Sequence, residues 1–461
     1  MSVGTVVLRL PFFICNQLFN SYRRNEGFNM SKNIACTIKS NLHAAISDVC
    51  TSAEIQSYRK RSLTPQDTIK LLMFMEGGSL NRELHKAGVN ITPSAFIQRR
   101  KQIPVDVMED ILESFNARCR DEKTYKGYRV LAVDGTAVNM ARDPKAPTFV
   151  QDDSHPRGYN QFHVTPLYDI INKTYQHCVI QPQPRQDEIG ALLFMLTWFD
   201  FPQKTLIIGD RGFESYNLFA HFLEHPTLDF LIRVRQDRSA MREIRKLPME
   251  ELDTDVSVVI TTTQKKEDKE NGHILVQIRK DKNRTYSTKT RAGRWDFPSP
   301  YSMKFRVVRF LLSTGEYETL ATSLPRNLFP LNELKELYFT RWRVELAFRE
   351  LKYGVGLVNL HGKKPQFVQQ EIWAAMIMSN FSSRIARQVV LEKKKKNIYE
   401  YAVNMQMAIY LCKEFFRAKD ENGEHLMLDI ARYTEPIRQG RSDLRNIKSK
   451  SFVGFVYRVA A

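Results

Sequence analysis

The most informative segment of this chain is Tyr338-Phe-Thr-Arg341-Trp-Arg-Val-Glu345-Leu-Ala-Phe-Arg-Glu-Leu-Lys352. Its tyrosine, arginine, glutamate and lysine are spaced Y-x2-R-x3-E-x6-K. On an α-helix that turns about 100° per residue, they fall within an arc of about 60°. This Y-R-E-K stripe adjoins an apolar face, which predicts packing against a core. The apolar face carries Leu337, Val344, Phe348 and Leu351. A salt-bridged surface helix is the alternative interpretation.

Length and charge indicate a multidomain protein with a polyanionic partner. The chain has 461 residues, 43% hydrophobic and 11% aromatic, which is enough for two or three folded domains. Its formal net charge is +18. A field of that sign favours polyanions, so nucleic acid is the first partner to consider. A basic enzyme of unrelated function is the alternative.

Cysteine and histidine spacing predicts neither disulfides nor a zinc module. The six cysteines are scattered without a C-x2-C pair, which indicates free thiols in a reducing cytoplasm. The ten histidines show no H-E-x-x-H pattern. The apolar N-terminal run is interrupted by Arg9 and Pro11 and is too short to span a bilayer. We therefore expect no membrane partner and a cytoplasmic location.

Residues 60–120 contain the capping residues that are typical of consecutive short helices. Helices over 66–75, 80–86 and 94–102 are predicted from the capping residues Thr64-Pro65, Ser79 and Thr92-Pro93. The last helix carries Arg99, Arg100 and Lys101. Such a unit resembles a helix-turn-helix variant that contacts DNA, and an ordinary helical bundle is the alternative. We assign 1–120 to this helical region and expect 1–29 to be disordered.

The pattern changes to α/β after residue 126. Strands are predicted over 129–133, 161–171, 175–181, 205–208 and 230–234, and helices over 188–199 and 216–223. This order predicts an α/β sheet with mixed strand directions, whose first part covers 121–237. Asp134 follows the first strand and Asp210 the fourth, each at a turn.

Residues 238–324 predict a β-rich insertion into that domain. Its strand patterns cover 256–263, 274–279, 305–313 and 317–323, with charged connections at 265–271 and 281–294. The helical pattern returns at 325–390, which contains the Y-R-E-K stripe and a helix over 369–390. A further helix over 401–418 lies in a helical and basic C-terminal region, 391–461. We interpret the lysine run 393–396 as a solvated loop.

Three carboxylates are candidates for one metal site. Residues just past strand ends line the ligand crevice of an α/β sheet, where Asp134 and Asp210 are expected; Asp-Gly is also an ordinary hairpin turn. Glu345 supplies the third carboxylate. Such oxygen ligands suit Mg²⁺ or Mn²⁺, and two ions form the clamp used in phosphodiester displacement. We predict a two-ion site, with Tyr338, Arg341 and Lys352 binding DNA phosphates.

These features resemble the DDE transposases of the insertion-sequence-four family, whose signature is the Y-R-E-K arrangement. The similarity lies in blocks 130–140, 206–215 and 322–360 and in the ending from 436 to 448. It covers roughly residues 60–460 in order and spacing. The resemblance implies an RNase H-like catalytic domain with a β-rich insertion, flanked by helical N- and C-terminal regions.

Further DNA contacts are expected near the site. Arg211, next to Asp210, is one candidate. Related transposases place an aromatic residue before the final helix, where it stacks on a base flipped out near the cut end. This chain departs from the pattern because no tryptophan stands at that position. Tyr317 or Trp295 could serve instead, and both also fit a purely structural role.

The leading interpretation is a transposase that excises and reinserts its own DNA element. It would act on double-stranded DNA, at terminal inverted repeats and at a target, as a homodimer on DNA. The alternative is a domesticated DNA-binding relative without catalysis, against which the intact carboxylates and stripe argue. A structure-selective nuclease would need neither the N-terminal helical unit nor the basic C-terminal tail.

Overall fold

The computed structural model describes residues 34–53, 55, 63–119, 123–237, 240–276, 294–391, 399–418 and 423–437. Several expectations concern residues outside these ranges: the disorder of 1–29, most of the charged connection 281–294, the lysine run 393–396 and the ending beyond 437. Within the described part of the chain, the helices are too short or too polar to cross a membrane.

Five helices precede the sheet, and the second, third and fourth of them match the three helices predicted from capping residues. They are α1 (Ile34–Ser52), α2 (Pro65–Phe74), α3 (Leu80–Lys86), α4 (Pro93–Lys101) and α5 (Val105–Arg118). Thr64 forms a capping box with Asp67, and Thr92 accepts a hydrogen bond from Ala95 N–H. Ser79 precedes α3 without a side-chain cap. Local capping chemistry therefore predicted these starts to within a residue.

Eleven of the described strands form one large mixed sheet. They are β1 (Arg129–Val133), β2 (Thr136–Met140), β3 (Phe149–Asp152), β4 (His155–Asp169), β5 (Thr174–Pro182), β6 (Thr205–Gly209), β7 (Leu228–Val234), β8 (Leu252–Thr261), β9 (Ile274–Leu275), β10 (Tyr301–Leu311) and β11 (Tyr317–Thr322). The order is β2-β4-β1-β6-β7-β11-β10-β8-β9, and β3 and β5 also pair with β4. Strands β8 to β11 thus extend the central sheet beyond β7.

The structure corrects the prediction of a turn at Asp134. Strand β1 pairs with β4 at Val133 and Leu167, and β2 pairs with β4 at Thr136 and Val164. The register is the same on both sides, so β2 continues β1 along β4 after a two-residue gap. Asp134 therefore interrupts an extended strand and does not belong to a hairpin turn.

The central strands have the order β5-β4-β1-β6-β7, with β4 antiparallel to its neighbours and β1, β6 and β7 parallel. The predicted mixed α/β architecture is confirmed, and this order is consistent with an RNase H-like domain. Side chains alternate between two cores, because successive residues of a strand face opposite sides. The first core contains Val130 and Ala132 of β1, and the second core contains Leu131 and Val133.

Helices pack on both faces of the sheet. Helices α6 (Glu188–Trp198) and α7 (Tyr216–Glu224) contribute to the second core, and short helices α8 (Arg242–Lys246) and α9 (Lys266–Glu270) belong to the insertion. The first core holds α10 (Leu331–Phe339), α11 (Arg343–Arg349), α12 (Pro365–Ala386), α13 (Met405–Arg417) and α14 (Gly423–Arg432). The N-terminal helices α1, α2 and α5 bury residues in this same core. They therefore pack on the helices that follow the sheet.

The segment that carries the Y-R-E-K stripe is not one regular α-helix. A 3₁₀ turn at Thr340–Trp342 separates α10 from α11, and a π-helical turn follows at Glu350–Gly354. Both turns change the angle per residue, so the stripe departs from the predicted arc. The apolar face is nevertheless confirmed, because Leu337, Val344 and Leu351 are fully buried.

The C-terminal part differs slightly from the predicted helix over 401–418. Residues 401–403 belong to β12 (Glu400–Val403), which pairs with β13 (Thr434–Ile437) in a separate two-stranded sheet. Helix α13 begins at Met405, after Asn404 caps it by accepting from Met407 N–H. The short strand was missed because its partner lies about thirty residues away.

Candidate active site

Asp134 and Asp210 occupy matching positions on adjacent parallel strands. Strands β1 and β6 pair up to Ala132 and Ile208, so each aspartate lies two residues beyond that pair. Because side chains alternate between the two faces of a strand, Asp134 and Asp210 lie on the same face as Ala132 and Ile208. Ala132 and Ile208 belong to the first core. Neighbouring strands lie about 4.8 Å apart. The two carboxylates therefore share one space at the carboxyl edge of the sheet.

Arg341 joins this edge to the helix that carries Glu345. Its guanidinium donates one hydrogen bond of 3.0 Å to Asp134 Oδ2 and another of 3.3 Å to Glu345 Oε1. Val344, between them on the helical run, is buried in the first core. The helix is thus fixed against the face that carries both aspartates, and all three predicted carboxylates lie in one region.

Backbone amides orient both aspartates. Gly135 N–H donates to Asp134 Oδ1 at 2.8 Å, and Gly212 N–H donates to Asp210 Oδ1 at 2.7 Å. In each aspartate the glycine N–H binds Oδ1, and Oδ2 remains available to other partners. For Asp134 that partner is Arg341.

Burial and charge act together on the ionisation of the site. Burial raises the pKa of Asp134 to about 6; Arg341 opposes this shift, and the charges of Asp210 and Glu345 add to it. For Arg341 burial acts to lower the pKa, but Tyr338, Asp134 and Glu345 outweigh it and the pKa is raised. Arg341 Nε is buried without a hydrogen-bond partner. The guanidinium is therefore a firmly charged group among acidic ones.

The other two stripe residues differ in environment. Tyr338 is only 3% exposed and packs in the first core. This corrects the prediction that Tyr338 binds a DNA phosphate, because a side chain buried in the core is not available to the DNA. Lys352 is half-buried, and burial lowers its pKa. No carboxylate in the described ranges forms an ion pair with Lys352.

Two predicted DNA contacts lie near the same edge. Arg211 is exposed at the start of a 3₁₀ turn, Arg211–Phe213, directly after Asp210. Tyr317 begins β11, which runs antiparallel to β7 and pairs Thr319 with Val234. The half-buried Tyr317 therefore lies beside the carboxyl end of β7, two strands from Asp210.

Arg100 does not face solvent, which corrects its prediction as a DNA contact. It is 2% exposed and donates to Gln370 at 2.8 Å and to Glu371 at 2.7 Å. The charges of a buried pair need each other, because a lone buried charge is costly. Arg100 thus joins α4 to α12. Its neighbours Arg99 and Lys101 lie half-buried and exposed, respectively.

Trp295 is also a structural residue, contrary to its candidacy as a base-stacking group. It is 8% exposed, and its indole N–H donates to the Pro298 carbonyl at 3.2 Å. Its ring contacts Phe297 and Tyr301 at centroid distances of 5.5 and 5.4 Å. This aromatic cluster belongs to the second core.

Two residues near the site were not predicted from the sequence. Glu188 lies in the first turn of α6, and its Oε1 is 2.9 Å from Nε2 of His163 on β4. A Cβ added at Gly135 would lie 2.1 Å from Glu188 Oε1. The pair therefore packs directly against the backbone next to Asp134. The signal in the sequence was Gly135, the glycine that directly follows Asp134.

The donor set suits a hard divalent cation. Asp134, Asp210 and Glu345 offer carboxylate oxygens, the ligands that Mg²⁺ and Mn²⁺ favour. Among the residues that the structure describes, no three or more His, Cys, Asp or Glu side chains are gathered closely enough to hold a metal ion. The guanidinium of Arg341 supplies the positive charge between Asp134 and Glu345 instead.

One histidine pair has a metal-like spacing in sequence but separate partners in space. His221 and His225 are four residues apart. His221 Nε2 lies 2.9 Å from Asp296, whereas His225 Nδ1 accepts from Thr227 N–H at the end of α7. The two histidines therefore have separate partners in the structure, although their spacing is typical of a metal-binding pair.

A family model described as a transposase DDE domain matches residues 125–381. This range covers more than half of the chain and contains Asp134, Asp210 and Glu345. The chain therefore belongs to the transposase DDE domain family.

Two known proteins are similar to this chain. Transposase InsG for insertion sequence element IS4, from Escherichia coli (strain K12), is 39% identical over 54 residues, which are 11% of this chain and 12% of that protein. The cryo-EM structure of the piggyBac transposase synaptic complex with hairpin DNA is 12% identical, with coverage of 91% of this chain and 84% of that chain and a TM-score of 0.39.

Proposed function

We propose that this protein is a transposase of the insertion-sequence-four family that excises its DNA element and joins it to a target. One observation carries the proposal: Arg341 bridges Asp134 and Glu345, while Asp210 lies next to Asp134 on the adjacent strand. Family membership and the net charge of +18 support it. The substrate would be double-stranded DNA with the element's terminal inverted repeats, together with target DNA.

Asp134, Asp210 and Glu345 would hold two Mg²⁺ or Mn²⁺ ions. When bound, such ions activate the attacking oxygen and stabilise the leaving oxygen of a phosphodiester. The chain's own contribution is to keep the carboxylates ionised and oriented. At neutral pH Asp134, with its pKa of about 6, is mostly ionised, and the amides of Gly135 and Gly212 fix two of the carboxylates.

Arg341 and Lys352 would bind the phosphates beside the scissile bond. Arg341 can direct two hydrogen bonds onto one phosphate, whereas Lys352 offers a point charge. Lys352 supports this role because it is half-buried, its pKa is lowered by burial, and no described carboxylate pairs with it. A nearby phosphate anion would stabilise the charged form of Lys352, which burial disfavours.

More distant groups would hold the rest of the DNA. Arg211 lies exposed beside Asp210, and on α4 Lys101 is exposed and Arg99 is half-buried. Tyr317, at the same edge of the sheet, is the candidate for stacking on a base near the cut end. A homodimer on DNA follows from the chemistry: an element has two ends, and the described residues of one chain provide one candidate site.

The experiment is incubation of the full chain with a duplex that spans the junction between its gene's element and the flanking DNA. We expect strand cleavage at the junction with Mg²⁺ or Mn²⁺ and none with a chelator, and none by Glu345→Gln. A domesticated DNA-binding relative would bind the same duplex tightly without cutting it. Binding without cleavage in both metals would therefore contradict the proposal.

A further inference from the structure

A third charged residue continues the row that Asp134 and Asp210 form across the sheet. The parallel strands β6 and β7 pair Ile208 with Leu231. Asp210 and Arg233 each lie two residues beyond that pair, so they lie on the same face as the pair, which belongs to the first core. Asp134, Asp210 and Arg233 are therefore side by side on three adjacent strands, about 4.8 Å apart from one strand to the next.

Glu318 of β11 lies beside Arg233 at this edge. Strand β11 runs antiparallel to β7 and pairs Leu320 with Arg233. Leu320 belongs to the first core, so Glu318, two residues earlier, lies on the same face. Glu318 Oε2 is 3.2 Å from Arg233 Nη2, and the side chains are 3% and 31% exposed, respectively. A buried carboxylate therefore holds a partly exposed guanidinium next to Asp210.

The ion pair uses only one oxygen of Glu318. Oε1 is buried and has no hydrogen-bond partner among the residues that the structure describes. A pair that only joined β7 to β11 would be expected to use both oxygens, because a buried acceptor without a partner is destabilising. A guanidinium has five N–H donors in a planar fork. The single contact therefore leaves donors of Arg233 available to an anion that approaches from solvent.

We propose that Arg233 binds a DNA phosphate beside the scissile bond and that Glu318 is the residue that positions it. The proposal rests on the proposed function, because it assigns Arg233 to the same DNA-cleaving site. Arg233 lies on the side of Asp210 away from Asp134, whereas Arg341 contacts Asp134 itself. The bound strand would thus meet one guanidinium on each side of the aspartates. Arginine suits this position because its fork can bind a carboxylate and a phosphate at the same time.

The test combines two measurements on the full chain with the junction duplex. Affinity is measured at several salt concentrations with a chelator present, and Mg²⁺-dependent cleavage is measured at saturating duplex. Arg233→Gln should reduce the slope of log affinity against log salt by about 1 and slow cleavage by about tenfold or more. Glu318→Gln keeps the charge of Arg233, so it should slow cleavage without reducing the slope. The double variant should cleave no more slowly than Arg233→Gln, because Glu318 acts through Arg233.

Arg129→Gln is the matched control. Arg129 lies at the opposite, amino end of β1, and its side chain is 22% exposed. Its Nε is 3.1 Å from the fully buried Asp169, so the pair resembles that of Arg233 in burial and geometry. The control should keep the wild-type salt slope and cleavage rate even where its melting temperature falls. An equal loss of slope in Arg129→Gln would overturn the assignment of the phosphate contact to Arg233.

The outcomes separate this proposal from the proposed function. If wild type cuts the junction and folded Arg233→Gln keeps both its slope and its rate, the phosphate contact is overturned and the proposed function stands. Should Arg233→Gln not fold, Arg233→Lys keeps the charge without the fork and should slow cleavage; a wild-type rate would then overturn the contact. A wild-type rate in folded Glu318→Gln overturns its positioning role. If wild type does not cut the duplex, the proposed function fails and this proposal fails with it.

Discussion

Arg341 donates a hydrogen bond of 3.0 Å to Asp134, a residue 207 positions earlier in the chain. The same guanidinium contacts Glu345 at 3.3 Å. One buried cation therefore neutralises two of the three site carboxylates. A bound metal and a DNA phosphate would divide these contacts between them, since the metal takes the carboxylates and the phosphate takes the arginine.

Arg341→Gln should lower stability without metal and increase the response to metal. Loss of one partner of a buried pair costs about 3–5 kcal/mol, and the partial exposure of Asp134 and Glu345 reduces this to about 2–3 kcal/mol. Mn²⁺ would then meet carboxylates without an internal competitor. Melting curves with and without Mn²⁺ measure both effects. A smaller Mn²⁺-induced rise in melting temperature than in wild type would show that Arg341 does not compete with the cation.

Lys352→Met should reduce cleavage and DNA affinity while it leaves stability unchanged within about 0.5 kcal/mol. The methionine keeps the apolar stem, and the charge that burial disfavours is removed. The slope of log affinity against log salt should fall by about 1, as for one lost phosphate contact. DNA titrations at several salt concentrations and melting curves of Lys352→Met and wild type measure both effects. An unchanged salt slope with a sharp loss of stability would make Lys352 a structural residue.

Arg100 and Lys101 form a matched pair on α4. Arg100→Ala should destabilise the protein by about 3–5 kcal/mol, because Glu371 would stay buried without its main counter-charge. Lys101→Ala, at an exposed position, should change stability by less than about 0.5 kcal/mol and reduce the salt slope of DNA binding by about 1. Urea unfolding and DNA titration are the measurements. Equal stability of both variants would contradict the buried pair.

The Arg100–Glu371 pair should make stability depend on pH in acid. Burial acts to raise the pKa of Glu371, but Arg100 and His361 outweigh it and lower this pKa to about 2. Because the pKa of Glu371 is lower in the folded state than in the unfolded state, its ionisation stabilises the fold at pH values above the unfolded-state pKa. This stabilisation is lost as the pH falls toward 2. The difference in unfolding free energy between wild type and Glu371→Gln should therefore be constant above about pH 5, at about 3 kcal/mol, and shrink below about pH 4. A difference independent of pH from 3 to 7 would contradict this assignment.

Local signals predicted most of the elements. Strands β1, β6 and β7 are short apolar runs, and α2 and α4 begin at capped Thr-Pro pairs, so neighbouring residues suffice to define them. Strands β2 and β3 were missed because their pairing depends on the long strand β4 rather than on their own composition. Asp134 and Asp210 were selected as candidate site residues because each follows an apolar strand.

The environment of a charged side chain was harder to predict. Arg100 sits in a basic cluster on a polar helix, and its burial depends on Glu371, which is 271 positions away. Tyr338 was placed on the exposed stripe because the 3₁₀ and π turns cannot be inferred from the spacing. Glu188 and His163 approach the site from the opposite face of the sheet. Only the three-dimensional pairing of β4 with β2 brings them to Asp134.

The central claim is that Asp134, Asp210 and Glu345 form one metal-dependent catalytic centre. The most direct measurement compares Asp134→Asn, Asp210→Asn and Glu345→Gln with wild type in Mg²⁺-dependent cleavage of the junction duplex, alongside affinity for that duplex. We predict that each variant loses cleavage by about 10³-fold or more while it binds DNA as well as wild type, because phosphate affinity comes from lysine and arginine. Cleavage at a wild-type rate by any one of the three variants would contradict the account.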